Sequence, residues 1–483
     1  MNGGAAPDEH TALLGSGGRS ANGSHSTRDF FFNSQVTPGL ESEKPWVKYP
    51  AHVWHITKMT LLSSPVNILL VCVPIGIIAG QGGWDPIAVF TINFFAIIPL
   101  AAVLSFATEE ISDKLGESLG GLLNATFGNA VELIVSIIAL QNNQLQVVKS
   151  SMIGSILSNI LLVMGMCFFF GGIVNMRDGN GDGTEQSFAS ITAQTTSSLM
   201  TLSAASMILP GTYMVIQLFM IINPADDEKS TRRTILALSR GTAIILLILY
   251  VMYLFFQLKT HHNLFSLESA TTPPDSQNAS DEESNNANHH HEDDDEEEKE
   301  EHMSPWSAGV VLIVTTVLVS ICADYLVDSI DSLVERAHIS RNFIGLILIP
   351  IVGNAAEHVT AVVVAVKNKM DLAMGVAIGS SIQIALFVTP FLVILGWIMD
   401  RDMDLHFETF ANPHVVETVS FALSVLVVIY TVMDGKSNYL EGAMLMALYI
   451  IIALAFFVTP SEDFDNENAT LLSHAVRSIF GSS

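Results

Sequence analysis

Charged residues are scarce in this sequence. Only 14% of its 483 residues are Asp, Glu, Lys or Arg, whereas 49% are hydrophobic. A soluble domain carries about a quarter charged residues, so this composition argues against an ordinary soluble protein. Basic residues are the rarer kind, with 21 Lys and Arg against 48 Asp and Glu. Binding to nucleic acid needs clustered Lys and Arg, and we therefore expect no nucleic-acid partner.

Two further features are missing. The sequence has 3 cysteines, and Cys72, Cys167 and Cys322 all fall inside apolar runs, which argues against a disulfide framework or a zinc site. The first 50 or so residues are polar and contain no early apolar stretch behind a basic segment. A cleaved secretory signal is therefore not expected, and the first spanning helix must bring the chain into the lipid bilayer.

Long apolar runs are what the sequence has in abundance. A run of about 20 residues is long enough to cross a hydrocarbon core of roughly 30 Å as a helix. The runs are continuous rather than alternating, which favours helices over strands and predicts an all-α integral membrane protein. About eleven transmembrane helices are expected, near residues 63–80, 87–107, 122–140, 152–174, 197–222, 234–257, 306–324, 342–366, 372–397, 415–433 and 440–459.

An internal repeat is the most informative feature. Residues 128–132 read Gly-Asn-Ala-Val-Glu, and residues 353–357, which lie 225 positions later, read Gly-Asn-Ala-Ala-Glu. A Gly-Ser pair follows 22 residues after each glutamate, at 154–155 and at 379–380, with the same offset of 225. When two hydrophobic helices are similar by chance, the residues that match are Leu and Val, not Asn and Glu. We therefore interpret the match as a true repeat.

The number of spans between the repeats determines their relative orientation. Five spans separate the two starts, and because five is odd the repeats must be inverted, as in many secondary transporters. The predicted organisation is a cytosolic disordered tail, an extra N-terminal helix, a first five-helix repeat, an acidic linker, a second five-helix repeat and a lumenal tail. These segments cover residues 1–58, 59–85, 86–258, 259–304, 305–460 and 461–483.

Glu132 and Glu357 are the main candidate functional residues. Each lies within an apolar span, where a carboxylate is costly unless it is paired, protonated or in contact with water. Together at the midplane they would repel unless a cation or protons neutralise them. Ca²⁺ suits such a pair, since it binds 6 to 8 oxygen ligands at roughly 2.3–2.6 Å.

Further candidates surround these two glutamates in the sequence. Amide oxygens three residues earlier share a helical face with them, glycines allow local unwinding, and hydroxyl and amide groups lie on the next helix. These candidates are Asn129, Asn354, Gly128, Gly353, Ser155, Ser380 and Gln383. His358 follows Glu357 and is either a hydrogen-bonded neighbour or linked to proton movement. No Cys or paired His ligands accompany them, which argues against a zinc or copper site.

The motifs resemble those of a known family. Residues 119–133 read LGGLLNATFGNAVEL and residues 353–358 read GNAAEH. They are similar to the two cation-binding repeats of the vacuolar calcium/proton exchangers, in the calcium/cation antiporter superfamily. The resemblance covers residues 60 to 460, and it implies that Glu132 and Glu357 hold Ca²⁺ and H⁺ alternately.

The resemblance has several further implications. It implies that Asn129, Asn354, Ser155, Ser380 and Gln383 line the site and that Glu109 and Asp324 lie on the cation path. Asp113 and Asp328, one turn beyond those two residues, are candidates for the same path. The expected protein is an antiporter in the vacuolar membrane, not an enzyme, with no cofactor.

Alternatives remain open from the sequence. A proton-coupled exchanger for Mn²⁺ or another divalent ion fits the same ligands, and a calcium-sensing or channel-like membrane protein is the alternative of a different class. The linker carries three histidines at 289–291 and an acidic run at 292–301. It is either a solvated disordered segment or a cation-collecting, regulatory one. We expect the N-terminus and this linker to be cytosolic.

Overall fold

The computed structural model describes residues 44–115, 117–177, 183–188, 197–207, 228–261, 303–337, 339–405 and 415–458, together with residues 37, 40, 42 and 195. Helices account for most of these residues. The chain divides into two compact units, residues 1–62 and 63–483.

Helix α1, Pro45–Leu62, is the main element of the first unit. Thr37 Oγ1 lies 2.9 Å from His55 Nδ1 and ties the preceding chain to this helix. The sequence analysis assigned residues up to 58 to a disordered tail, and for residues 45–58 that assignment is wrong. His and Lys residues interrupt the apolar residues of α1, so the segment forms no long apolar run and a search for spans overlooks it.

The second unit begins with a 3-10 segment, Pro65–Val71, that leads into α2, Cys72–Gln81. The helices that follow it are α3 Pro86–Leu115, α4 Glu117–Phe127, α5 Ala130–Gln141 and α6 Leu145–Leu157. Helix α6 continues through a π-helical segment, Ser158–Val163, into α7, Met164–Val174. Residues 197–207 are helical, and α8, Glu228–Phe255, ends in a π-helical segment, Phe256–Thr260.

The second half of this unit repeats the plan. Its elements are α9 Pro305–Asp328, α10 Ile330–Ala337, α11 Arg341–Phe343, a π-helical segment Ile344–Leu348, α12 Ile349–Gly353 and α13 Ala355–Val366. They continue with α14 Met370–Gln383, a π-helical segment Ile384–Val388, α15 Thr389–Ile398, α16 Val415–Val432 and α17 Tyr439–Val458.

Six helices among the described residues are long and apolar enough to cross a membrane, or up to eight if two bent helix pairs each form one span. The six are Pro86–Leu115, Leu145–Val174, Arg232–Thr260, Pro305–Ala337, Met370–Ile398 and Tyr439–Val458. The chain is therefore a mostly helical membrane protein, as predicted. Residues 208–222 and 459, where two of the predicted spans end, lie outside the described residues.

The repeat extends from side-chain identity to backbone geometry. Helices α5 and α13 begin and end 225 positions apart, and the next helix of each half, α6 or α14, starts with the same offset. A π-helical segment follows at the matching point in both halves. Asn143 and Asn368 precede α6 and α14, and both have φ of 59°, a left-handed conformation that asparagine tolerates.

The two matched turns lie at different ends of the unit. The continuous helix Leu145–Val174 has 30 residues and therefore spans about 45 Å. Asn143 precedes it and accepts a hydrogen bond from Arg401. Beyond its other terminus, Asn175 Nδ2 donates to the carbonyl oxygen of Val366, close to the turn at Asn368. We call these the Asn143 end and the Asn368 end.

One pair of short strands lies at the Asn368 end. Strands β1, Gln186–Ser187, and β2, Lys436–Ser437, pair in antiparallel fashion. The all-α prediction did not include these strands, because two-residue strands leave no alternation in the sequence. Gln186 Nε2 also donates to Asn368 Oδ1, which fixes the strand pair to the matched turn.

The core of the unit forms around α6, the π-helical segment after it and α7. Met152, Ile156, Ile160 and Met164 along this continuous helix are fully buried. Such burial leaves the polar groups of the same layer without water, so their partners must come from the protein or from a ligand.

Candidate cation-binding site

Both Gly-Asn pairs stand where a helix is interrupted. Gly128 and Asn129 separate α4 from α5, and Asn354 separates α12 from α13 with a bend of 59°. The two asparagines have similar backbone angles, φ −101° and ψ 24° for Asn129 and φ −100° and ψ 3° for Asn354. The sequence predicted this local unwinding. It places Glu132 and Glu357 in the first turns of α5 and α13, where the partial positive charge of a helix N-terminus favours a carboxylate.

Each glutamate faces the glycine of the other repeat. A Cβ atom built on Gly353 would lie 3.0 Å from Glu132 Oε1. A Cβ atom built on Gly128 would lie 3.7 Å from Glu357 Oε1. Gly353 thus provides the space that the Glu132 carboxylate occupies, while Glu357 lies at ordinary van der Waals distance from the Gly128 position, and the repeats meet at these two contacts.

One half of the site is hydrogen-bonded. Asn129 Nδ2 donates to Gln383 Oε1 at 2.6 Å. Ser380 Oγ lies 2.9 Å from Asn129 Oδ1 and 3.1 Å from Glu357 Oε2. Since a serine hydroxyl has one proton, it donates to one of these oxygens at a time. The hydrogen bond between Asn129 and Gln383 thus joins the two repeats directly, across 254 positions of sequence.

The other half of the site has buried polar atoms without partners. Both carboxylate oxygens of Glu132, both amide atoms of Asn354 and Ser155 Oγ make no hydrogen bond. The three side chains are 2%, 1% and 0% exposed, respectively. Leaving such a group unsatisfied costs about 1–3 kcal/mol, and more when it is charged. These atoms are therefore candidates for binding a cation or a proton.

The donor set determines which ions suit the site. Its side chains offer carboxylate, amide and hydroxyl oxygens, which are the ligands of hard cations such as Ca²⁺. No group of three or more His, Cys, Asp and Glu that could hold a metal ion occurs in the part of the chain that the structure describes.

The predicted pathway residues flank this site. The charges of Glu132 and Glu357 act on each other, and Glu109, an exposed residue near the end of α3, acts on Glu357. Asp113 lies one turn further along α3 and is exposed. Glu110, which the sequence analysis did not single out, accepts a hydrogen bond of 2.6 Å from the backbone N–H of Met303.

The second pair of acidic residues lies at the Asn143 end. Asp324 and Asp328 are exposed on α9. Asn142 Nδ2 donates to Asp328 Oδ1 at 2.8 Å. The structure thus separates the two acidic pairs, with Glu109 and Asp113 at the Asn368 end and Asp324 and Asp328 at the opposite end.

His358 points away from the hydrogen-bonded cluster. Its Nε2 atom lies 3.3 Å from Ser158 Oγ, and the ring is 7% exposed. Neighbouring helical residues project about 100° apart, so His358 and Glu357 lie on different faces of α13. The sequence analysis missed Ser158, although it precedes Gln383 by the repeat offset of 225. Each of these two residues contacts the opposite repeat.

These features define an integral membrane protein that carries ionisable groups inside its helical core. A family model described as sodium/calcium exchanger protein matches residues 86–259 and 307–458, which is most of the second unit. The chain belongs to this sodium/calcium exchanger protein family.

Named relatives are similar over most of the chain. The vacuolar calcium ion transporter of Schizosaccharomyces pombe is 45% identical over 405 residues, which cover 84% of this chain and 87% of the relative. The Ca(2+)/H(+) antiporter of Aphanothece halophytica is 43% identical, with coverage of 81% and 96%. Vacuolar cation/proton exchanger 2 of Oryza sativa subsp. japonica is 39% identical, with coverage of 85% for each chain.

Solved structures show the same fold. The native YfkE structure aligns with a TM-score of 0.62 at 33% identity and covers 82% of this chain and 100% of the other. An H+/Ca2+ exchanger named CAX aligns with a TM-score of 0.54 at 12% identity, over 81% of this chain and 91% of the other. The second similarity concerns the fold alone.

Proposed function

We propose that this protein is an antiporter that moves Ca²⁺ from the cytosol into an acidic vacuole in exchange for H⁺. The observation that carries the proposal is the buried, unpartnered carboxylate of Glu132, which lies against Gly353 and acts electrostatically on Glu357. Relatives of high similarity are named as calcium transporters and cation/proton exchangers. The buried carboxylate and the names of the relatives both support Ca²⁺ and H⁺ as the transported ions.

The mechanism follows from the charge of the site. Two ionised glutamates repel each other in the membrane interior and attract a divalent cation, whose charge they neutralise. Protonation of Glu132 and Glu357 removes that charge and leaves neutral acids that no longer hold Ca²⁺. Neutral cytosol therefore loads the site with Ca²⁺, and the acidic vacuolar lumen releases it.

The ligand shell is formed from both repeats. Ionised Glu357 and Asn129 are already positioned by Ser380 and Gln383, while Glu132, Asn354 and Ser155 have free oxygens. Carbonyl groups freed by the helix breaks at Gly128 and Gly353 complete the set. His358 is held by Ser158 behind the site, where it supports the position of α13.

The architecture provides access from two sides. We interpret residues 86–258 and 305–460 as inverted five-helix repeats, with an extra helix over 59–85, which gives eleven spans. With a cytosolic N-terminus, the Asn368 end faces the cytosol. Glu109 and Asp113 then lie on the cytosolic path, and Asp324 and Asp328 on the lumenal one. The acidic linker reaches the membrane at Met303, beside Glu110.

Reconstituted vesicles test this function. We expect an inside-acid pH gradient to drive Ca²⁺ uptake, and a protonophore to abolish it. Uptake that is indifferent to the proton gradient would instead indicate a channel. Since carboxylate and amide oxygens also suit Mn²⁺, the same assay with Mn²⁺ as competitor shows which divalent ion is preferred.

A further inference from the structure

Matched positions of the two repeats differ sharply in packing. Ile344 and Ile347, in the π-helical segment before α12, are 0% and 5% exposed. Their counterparts 225 positions earlier, Leu119 and Leu122 of α4, are 59% and 44% exposed. The repeats share their backbone geometry around the site. The difference in exposure therefore comes from how α4 and the segment 344–348 pack on the rest of the protein.

The buried segment is docked on α6 through two glycines. A Cβ atom on Gly154 would lie 2.6 Å from the carbonyl carbon of Leu346, and one on Gly345 would lie 2.8 Å from Ser150 Cβ. Backbone meets backbone at the first contact, which therefore admits only glycine. This packing lies between Ser155 of the site and the Asn143 end.

No described segment is docked at the equivalent glycine of α14. Gly379 corresponds to Gly154, and a Cβ atom there would meet none of the described residues within 4 Å. Gly375 corresponds to Ser150, is exposed, and also has open space around it. Segment 119–123 instead packs on the π-helical segment Phe256–Thr260 that follows α8, where a Cβ atom on Gly121 would lie 2.7 Å from Leu258 Cδ2.

We infer that Gly379 is the docking point for α4 in the other state of the transport cycle, where it takes the role that Gly154 has here. In that state α4 leaves Leu258 and packs on α14, with the backbone of Gly121 against Gly379. The segment 344–348 leaves α6 in exchange. The protein then closes at the Asn368 end and opens at the Asn143 end.

The inference rests on the proposed antiport, and it explains why both position 154 and position 379 are glycine. A protein that held one conformation would need only Gly154. Gly379 is half-buried, but a Cβ atom there would meet no residue of the described part of the chain within 4 Å, so no described contact in this state explains the absence of a side chain. The two glycines are needed in turn, one in each state.

A matched pair of serine substitutions tests this assignment. Gly379→Ser fits the present state but would block the docking of α4, so we expect proton-driven Ca²⁺ uptake to fall by at least about ten-fold. Gly375→Ser is the control, because its counterpart in the first repeat, Ser150, is already a serine. Ser150 packs on Gly345, and position 375 would in the same way pack on Gly120 in the other state. Uptake by Gly375→Ser should stay within about two-fold of the unsubstituted protein.

Two further readouts separate a block from misfolding. Both variants should keep normal membrane abundance, and Gly379→Ser should still bind Ca²⁺ in detergent, because its site stays open. Equal uptake by Gly379→Ser and the unsubstituted protein would overturn the inference while leaving the antiport intact. Absence of proton-driven uptake in the unsubstituted protein would instead refute the proposed function.

Thiol labelling follows the movement directly. With Cys72, Cys167 and Cys322 replaced by Ala, Ser150→Cys is buried in the present state. A membrane-impermeant maleimide should label it only during turnover, when the segment 344–348 leaves α6. Addition of Gly379→Ser should suppress this labelling. Labelling that is the same with and without turnover, or unaffected by Gly379→Ser, would refute the exchange of packing partners.

Discussion

The carboxylate of Glu132 occupies the space beside Gly353, on the opposite repeat, where a Cβ atom would come within 3.0 Å of Oε1 and 3.2 Å of Cδ. Gly353→Ala should therefore displace the carboxylate and weaken Ca²⁺ binding by about ten-fold, or roughly 1.4 kcal/mol. Calorimetry in detergent measures the affinity. Gly375→Ala is the control, because its surroundings are open. Unchanged affinity in Gly353→Ala would show that Glu132 does not bind the ion from this position.

The two glutamates should both be indispensable for exchange. Glu132→Gln and Glu357→Gln keep the shape of the side chain and remove its charge and titration, so each should reduce Ca²⁺ uptake to background without loss of folded protein. Glu→Asp at either position should also fail, because the oxygen is withdrawn by about one bond length from a ligand distance of roughly 2.3–2.6 Å. Uptake per folded transporter is the measurement.

A surface glutamate provides the control for these variants. Glu335 is exposed on α10, and Glu335→Gln should transport normally. Near-normal exchange in either of the two buried Gln variants would remove that glutamate from the mechanism.

Ser380 and Ser381 are neighbours with different partners. Ser380 Oγ reaches Asn129 and Glu357, whereas Ser381 Oγ donates to the carbonyl oxygen of Ala377 within its own helix. Ser380→Ala leaves buried acceptors unsatisfied, at a cost of about 1–3 kcal/mol, and should lower Ca²⁺ affinity about ten-fold. Ser381→Ala should bind Ca²⁺ normally. Equal affinities in the two variants would exclude Ser380 from the site.

Protons and Ca²⁺ should compete for the same carboxylates. Because only the ionised glutamates bind Ca²⁺, its affinity should fall as the pH decreases. Glu132→Gln has one titrating group fewer, so its residual Ca²⁺ binding should depend less steeply on pH. Titrations in detergent at several pH values give both slopes. Affinity that is independent of pH in the unsubstituted protein would contradict a shared site.

The acidic run at 292–301 should affect the approach of cations. Its residues lie outside the described part of the chain, but Met303, just after it, is anchored on Glu110 near Glu109. Replacing the acidic residues by Gln should reduce the initial rate of uptake at low Ca²⁺ and low salt. The difference should disappear at high salt, since screening acts within roughly 8 Å at physiological ionic strength. Complete loss of transport in a correctly targeted variant would place the linker in the core mechanism.

Much of the site follows from the sequence because its signals are local. A Gly-Asn pair three residues before a glutamate, present twice with one offset, predicts the helix breaks and the buried carboxylates. The hydrogen bond from Asn129 to Gln383 was beyond prediction, since it depends on how two distant helices cross. The π-helical segments have no residue signature, and the different packing of Gly154 and Gly379, which share the same Gly-Ser context, depends on distant parts of the chain.

Matched residues of the two repeats keep one offset of 225, from the pair Gly128 and Gly353 to the pair Ser158 and Gln383, and this has a consequence for insertions and deletions. Each residue of a helix turns the chain by about 100°, so deleting one residue between Asn143 and Ser155 would rotate Ser155 away from the layer that holds Glu132. The same deletion near Asn368 would carry Ser380 away from Asn129 and Glu357. The loop between the repeats can change length freely, but each of these short stretches must keep its length if both halves are to deliver their oxygens to one ion.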